Sequence, residues 1–222
     1  MAPGKFQAPP RATCIIFALV CLCACGAPAP RYSTLEDLNR ESCLQSIKPG
    51  DNTETEVVAA LRACKTVTKV DDPLPSAGTQ STAHRWQLAS GPSGNAETTE
   101  GVLLTRSYNV AQGMPLGDIL STYGKPDAAW RLDSGSAGQC SAVIRLLYLQ
   151  RALAFELVMP YACGSDFIIN AALNSTGYAQ FVSGNLDEVL KSAYHLAGAA
   201  LAQAHTEIRP WTGYDSLKRA PP

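Results

Sequence analysis

The stretch Ala142-Val143-Ile144-Arg145-Leu146-Leu147-Tyr148-Leu149-Gln150-Arg151-Ala152-Leu153-Ala154-Phe155-Glu156-Leu157-Val158 decides the fold, because it predicts two strands and the turn between them. Residues 142–149 are almost continuously apolar, and residues 152–158 place apolar side chains at every other position. Gln150-Arg151 is a short polar turn between the two runs. We therefore predict an antiparallel hairpin that buries at least one face.

Further strands and a helix flank this hairpin. We predict strands at 128–132 before it and at 167–173 after it. Ahead of them, the segment 116–123 carries apolar residues at the i, i+3, i+4 and i+7 positions of a helix. Gly124-Lys125-Pro126 ends that helix, since proline cannot continue it. This half of the chain therefore combines a short helix with an antiparallel meander.

The first half of the chain follows the same plan. Residues 47–61 correspond to residues 110–123, with a glycine turn followed by a short helix. Thr53 or Thr55 caps the first helix, and Thr53 and Glu56 have the spacing of a capping box. Weaker strand patterns follow, at 66–70, 84–88 and 102–106, and the glycine- and serine-rich stretches 75–81 and 90–95 read as loops.

The C-terminal part does not repeat this plan. Asn185 is an N-cap candidate, and an apolar stripe that contains several alanines continues from Leu186 to about His205. We expect this helix to pack on a sheet, because a helix on a membrane surface would carry a basic polar face. The predicted fold class is therefore α+β, with two tandem units of a short helix plus an antiparallel sheet (40–108 and 109–178) and an added C-terminal helix and tail (179–222).

The N-terminal 24 residues have the layout of a bacterial export signal. A cationic opening with Lys5 and Arg11 precedes the short apolar run Cys14 to Leu22, which is too short to span a bilayer. Leu22-Cys23-Ala24-Cys25 resembles a lipoprotein cleavage and lipidation box. We predict a signal peptide over 1–24, a lipid on Cys25 and a tether over 25–39. The alternative is an ordinary secreted protein in which Cys25 is a free thiol.

Four of the eight cysteines remain once the signal is removed and Cys25 is lipidated. In an oxidising compartment an even number favours disulfides, and zinc sites usually show closely spaced cysteines or histidines. Three pairings are open. The local one, Cys43 with Cys64 and Cys140 with Cys163, closes two loops of similar size and is preferred.

Charge and motifs exclude several function classes. Loss of Lys5 and Arg11 with the signal removes two positive charges, so the net charge of −1 becomes −3, and the longest basic run is Lys218-Arg219. Nucleic acid binding needs a clustered basic surface, so we expect none. The sequence contains no nucleophile elbow and no glycine-rich phosphate loop, and its three histidines lack metal-ligand spacing. We predict no catalytic residues, no metal and no cofactor.

Aromatic residues on the predicted strands and in the C-terminal tail are candidates for protein contact. A sheet face that carries rings is a common protein-contact surface. The alternative is that the rings pack under the helices, and the period of two allows only some of them to face inward. The candidates are Trp86, Tyr108, Trp130, Tyr148 and Trp211.

The segments Ser42-Cys43-Leu44-Gln45-Ser46-Ile47-Lys48-Pro49-Gly50 and Leu116-Gly117-Asp118-Ile119-Leu120-Ser121-Thr122-Tyr123-Gly124-Lys125-Pro126 resemble those of uncharacterised bacterial lipoproteins. More distantly, they resemble the SmpA/BamE small lipoprotein fold and the β-lactamase inhibitory protein, which doubles such a unit. The resemblance implies a helix pair on one sheet face and an open concave sheet. The first unit lacks the Gly-x-Pro exit, so no functional residues are transferred.

These observations predict a protein anchored by lipid to the cell membrane or envelope on its extracytoplasmic face. We expect it to act without catalysis, by binding another envelope or extracellular protein. One alternative is a small-molecule receptor or hydrolase with a cleft between the two units. A second is a passive envelope spacer.

Overall fold

The predicted hairpin is confirmed. The computed structural model describes residues 35–75, 80–136, 139–162 and 169–218. In it the strands Gln139–Tyr148 and Leu153–Ala162 pair antiparallel, with Ile144 opposite Leu157 and Leu146 opposite Phe155. The turn is longer than the two residues expected, because a 3-10 turn precedes Ala152 and Ala152 itself adopts a left-handed conformation (φ 48°).

The described helices and strands, in chain order, are as follows. The helices are α1 (Leu35–Asn39), α2 (Ser42–Gln45), α3 (Glu54–Ala63), α4 (Leu116–Tyr123), α5 (Leu186–Ser192) and α6 (Gly198–Glu207). The strands are β1 (Val67–Val70), β2 (Leu74–Pro75), β3 (Ser81–Leu88), β4 (Ser93–Thr99), β5 (Val102–Asn109), β6 (Ala128–Ser136), β7 (Gln139–Tyr148), β8 (Leu153–Ala162), β9 (Gly177–Phe181) and β10 (Arg209–Pro210).

The predicted fold class, two tandem helix-plus-sheet units, is wrong. All ten strands belong to one antiparallel sheet in the order β1-β3-β4-β5-β9-β8-β7-β6-β10, with β2 beside β3. Strand β9 pairs with β5 on one side and with β8 on the other. It therefore satisfies the backbone groups of two meanders that would each otherwise end in an open edge. Strands hold 39% and helices 30% of the described chain, so the sheet dominates.

Two strands differ from the predicted pattern. Of the strand predicted at 167–173, residues 167 and 168 lie outside the described residues, and residues 169–173 contain a turn and no strand; β9 lies further along the chain. Of the stretch expected to be a loop at 90–95, residues 90–92 connect β3 to β4 as predicted, whereas residues 93–95 begin β4. This strand begins with small polar residues, so the sequence shows no alternation of apolar and polar side chains there. Gly94 is needed there because the Trp86 ring lies over it, and a Cβ at Gly94 would be 2.1 Å from that ring.

One face of the sheet, the first face, packs against α1 to α4. Its core joins Leu38, Leu61 and Ile119 of the helices to Tyr108 and Phe155 of the strands, all of which are at most 1% exposed. Helix α4 ends at Gly124 as predicted, with the left-handed φ of 79° that favours glycine. The helices predicted from both glycine turns are therefore confirmed.

The other face, the second face, is only half covered by the residues that the structure describes. The single C-terminal helix predicted to reach about His205 is wrong, since the chain breaks between α5 and α6. His195 and Gly198 each have a φ of 52°, and the Leu196 N–H donates to the Leu190 carbonyl at 3.0 Å. The break lets both helices pack on the sheet, where Leu190 and Ala204 cover Trp130.

The cysteines follow the local pairing where they can be seen. A disulfide joins Cys43 in α2 to Cys64 at the end of α3, with the Cα atoms 5.3 Å apart. Cys140 in β7 also takes part in a disulfide. Cys163 lies outside the described residues, so its pairing with Cys140 stays a prediction.

The predicted signal peptide, the lipidation site Cys25 and most of the tether also lie outside the described residues. None of the helices within the described ranges is long and apolar enough to cross a membrane.

The capping box at α3 is confirmed and gives a first prediction. The Thr53 N–H donates to Glu56 Oε2 at 2.8 Å, and the Glu56 N–H donates to Thr53 Oγ1 at 3.4 Å. Thr53→Ala is expected to lower the free energy of unfolding by about 1 kcal/mol, because one helix N–H loses its acceptor. Chemical denaturation measures this loss, and Thr55→Ala, which changes an exposed residue in the same turn, is the control.

The same substitution has a pH signature. The backbone N–H of Thr53, and then its hydroxyl, lower the pKa of Glu56 from its ordinary value of 4.5. The stabilisation is therefore complete above that ordinary value and is lost as pH falls through the lowered pKa. Thr53→Ala keeps the N–H and removes the hydroxyl, so the pKa of Glu56 should rise part of the way back. Carboxyl carbon NMR titration measures it, and an unchanged pKa would contradict the prediction.

Candidate functional site

The aromatic residues predicted as contacts are placed mainly inside the protein. Trp86, Tyr108, Trp130 and Tyr148 are each at most 3% exposed, and Trp211 packs half-buried against the main core. Trp86, Tyr108 and Tyr148 lie under the helices of the first face, whereas Trp130 lies under α5 and α6. The four buried rings therefore present no contact surface, and the alternative of packing under helices describes them.

The uncovered half of the second face is a better candidate. Helices α5 and α6 pack over β6 to β9, and the alternation along β3 to β5 turns polar side chains outward beside them. We call this surface the open groove. It is defined by Arg85, Gln87, Asn95, Ser107 and Asn109, which line a depression of about 420 Å³.

The open groove adjoins a second depression where the predicted halves join, and Asn95, Ser107 and Asn109 line both. Small residues form its floor, with Ala154 opposite Ala179 and Ala179 opposite Ser107 in the register of three neighbouring strands. Gly177 also lines it, and a Cβ there would be 3.4 Å from Glu156 Cβ. The volume is about 240 Å³. We call it the seam pocket, defined by Ala154, Gly177 and Ala179 on the floor and by Arg145 and Glu97 at its sides.

Arg145 forms one side of the seam pocket. Its Nε donates to Glu156 Oε2 at 3.0 Å across the β7–β8 pair. Its guanidinium lies 4.3 Å from the centre of the Tyr194 ring and 4.8 Å from that of Trp130, which are cation–π contacts. Burial raises the pKa of Tyr194 to about 12, and Arg145 opposes that rise. Tyr194 therefore stays a neutral phenol.

Glu97 and His195 form the other side. His195 Nε2 lies 2.8 Å and 2.9 Å from the two carboxylate oxygens of Glu97, and the Glu97 side chain is only 5% exposed. His195 is the left-handed residue after α5, so this contact attaches the α5–α6 connection to strand β4. The pair therefore holds the α5–α6 connection against the sheet as one side of the seam pocket.

The three histidines of the chain do not converge. His84 is buried and lies 3.1 Å from Glu54, and His205 lies 2.9 Å from Asp187. Each of the three histidines thus has its own acidic partner. Within the described ranges there is no group of three or more residues that could hold a metal ion. Amide, hydroxyl and charged groups line the open groove and the seam pocket.

Sequence reasoning missed these groups. Asn95 falls in a stretch expected to be a loop, and Glu97 follows it, so neither was assigned to a face. Arg145 and Glu156 carried a usable signal, because each is a charged residue inside an otherwise apolar strand and the hairpin register places them side by side. We compared the chain with protein-family models, curated proteins and solved structures, and none matches it.

Proposed function

We propose that this protein is a lipid-anchored, extracytoplasmic binding protein whose open groove and seam pocket hold an extended segment of another envelope or extracellular protein. The observation that carries the proposal is the half-covered second face, where a polar surface of five side chains leads into a pocket.

The dimensions suit a polypeptide. From Arg85 in β3 to Arg145 in β7 the surface crosses five strand spacings in the sheet order, or about 24 Å at roughly 4.8 Å each. An extended chain rises about 3.3 Å per residue, so roughly seven residues span this length. The side-chain amides of Asn95, Asn109 and Gln87 offer a donor and an acceptor each, which complements the main-chain groups of such a segment.

A small-molecule receptor is the second candidate. The seam pocket favours it, since the pocket lies where the predicted halves join and its polar groups converge. Its volume of about 240 Å³ is below the 300–1,000 Å³ typical of ligand cavities. A segment that fills the pocket and continues along the open groove uses the whole surface, and we therefore favour the protein partner.

Site-specific photo-crosslinking tests the groove. A photoreactive residue is placed at Gln87 or Asn109, both exposed in the open groove, and irradiated in intact envelopes. The matched control is Ser121, which is exposed on α4 and therefore on the other side of the sheet. We expect one discrete protein adduct from both groove positions and none from Ser121.

Other outcomes separate the competing functions. A metabolite that copurifies and is seen by native mass spectrometry, without a protein adduct, supports the receptor. An absence of both supports a passive spacer. The anchor is tested separately, by labelling with an alkyne fatty acid, which should mark the wild type and not Cys25→Ala. An unlabelled wild type would contradict the anchor.

A further inference from the structure

Arg145 occupies a central position beside the seam pocket. In the register it lies directly opposite Trp130 of β6 and Glu156 of β8, so all three side chains project from the second face. Its side chain is 17% exposed, and it lines the seam pocket as well as a depression of about 290 Å³ next to α6. Any ligand in the seam pocket therefore meets this guanidinium.

The guanidinium is held in one orientation. The neighbouring rings of Tyr194 and Trp130 both contact it, and Glu156 accepts from its Nε. An arginine keeps its charge at any physiological pH, and its planar donors match a carboxylate in a two-point contact. Because these contacts already restrict the side chain, little conformational entropy remains to be lost on binding.

The fork of the Arg145 guanidinium, formed by Nη1 and Nη2, makes no hydrogen bond to the described residues. Glu156 accepts only from Nε, and Nη1 and Nη2 have no hydrogen-bond partner among the residues that the structure describes.

Two other arginines of the sheet differ. Arg106 Nη1 donates to the Leu44 carbonyl and its Nη2 to Asn39. Arg131 Nη1 donates to the Leu217 carbonyl at 3.1 Å and its Nη2 to Asp133 at 2.8 Å. Arg145, by contrast, places four charged N–H donors beside a pocket, and none of them has an acceptor among the described residues.

We propose that Arg145 binds a carboxylate of the segment that occupies the groove, either an Asp or Glu side chain or a C-terminus, through Nη1 and Nη2 together. This rests on the proposed function and names the chemistry of its ligand. A carboxylate carries one charge in a planar group that fits the fork. A phosphate, with nearly two charges, would be repelled more strongly by Glu156 and Glu97 at the same pocket.

Asn95 supplies the second contact of the same segment. Its Oδ1 is buried without a hydrogen-bond partner in the described part of the protein, and Asn95 lines both the open groove and the seam pocket. A main-chain N–H or a protonated amine of the bound segment would satisfy it. The two sites together orient the segment, with its carboxylate at β7 and its polar main chain over β4.

Paired peptide pools provide the test, with the full chain in detergent. One pool of random heptapeptides contains Asp and Glu and has free C-termini, and its partner pool contains Asn and Gln and has amidated C-termini. We expect the wild type to retain the acidic pool about tenfold or more strongly. Arg145→Lys keeps the charge and loses the fork, and it should reduce this preference to about threefold or less.

The control is Arg151→Lys, which changes another arginine in cation–π contact, here with Tyr123 on the first face. It should leave the preference unchanged, and thermal unfolding verifies that both variants are folded. Titration of the wild type with acetate or inorganic phosphate, followed at the Arg145 side-chain NMR signals, identifies the source and the ion. Saturation by acetate without any peptide preference would overturn the assignment to a partner segment.

Preferential saturation by phosphate would overturn the choice of carboxylate. An acidic preference that survives Arg145→Lys intact would overturn the role of Arg145. Each of these failures leaves the crosslinks from Gln87 and Asn109 in place, whereas failure of the proposed function removes those crosslinks. The two hypotheses are therefore distinguishable.

Discussion

Replacement of Phe155 by alanine is expected to lower the free energy of unfolding by about 3–5 kcal/mol, the cost typical of removing a fully buried aromatic ring. Phe155 is 0% exposed in the middle of β8. Its ring lies 4.8 Å from that of Tyr123 and 5.3 Å from that of Tyr178, measured between ring centroids. These neighbours come from helix α4 and from β9, the strand that joins the two meanders, so the cavity would form where both elements pack on β8.

Urea unfolding followed by circular dichroism measures this loss, and Val158→Ala is the matched control. Val158 lies on the same strand with its side chain on the second face, 39% exposed, and its truncation should cost less than about 1 kcal/mol. A single sheet further predicts that one cooperative transition shifts as a whole. Two separate transitions, of which only the one that reports on the later half of the chain shifts in Phe155→Ala, would contradict the continuous sheet.

Removal of the Cys43–Cys64 disulfide has the second largest expected effect. The double variant Cys43→Ala/Cys64→Ala should lose about 3 kcal/mol, because the bond closes a loop with a sequence separation of 21 residues and the unfolded chain gains that freedom. Changing both cysteines avoids a lone thiol. A reducing agent that opens this bond in the wild type should remove most of the difference between the wild type and the double variant, and guanidinium unfolding measures both values.

The disulfide variant also separates stability from recognition. Cys43 and Cys64 belong to the helical side of the molecule, whereas the open groove lies on the opposite face of the sheet. We therefore expect crosslinking from Gln87 to persist in the double variant below its unfolding temperature. Wild-type stability in the double variant would contradict the prediction. Loss of the crosslink in folded protein would show that the helices shape the groove.

Local signals in the sequence predicted much of the secondary structure. The Thr53 capping box and the exit at Gly124 each involve residues within one helical turn, so their patterns survive whatever the rest of the chain does. The hairpin of β7 and β8 is equally local, since a short turn sets its register. In these elements the residues that contact each other are also close together in the sequence, so the spacing alone predicts the contacts.

The sheet order is a nonlocal property, which explains the wrong fold class. Nothing in Gly177–Phe181 indicates that it pairs with β5 as well as with β8, because that choice depends on which edges remain open after the other strands form. The break at His195 is similar. The apolar stripe continues through it, and only the contact of His195 with the distant Glu97 shows why the chain turns there.

The candidate site was predicted least, because it consists of what is left uncovered. A depression floored by Ala154, Gly177 and Ala179 exists only once the strands β8 and β9 stand in register, and small residues alone carry no signal for it. Arg145 is the exception. A charge inside an apolar strand is a local anomaly that sequence reading can detect, although its ring contacts with Trp130 and Tyr194 cannot be foreseen.

The place of β9 in the sheet has a consequence for biosynthesis. A ribosome or an export channel delivers the chain from its N-terminus, so β3, β4 and β5 emerge long before residues 177–181. Until then β5 has an unsatisfied edge, the kind of surface on which strands of different molecules join. Nascent chains truncated before residue 177 should therefore aggregate, and chaperone demand should fall once that last central strand is released.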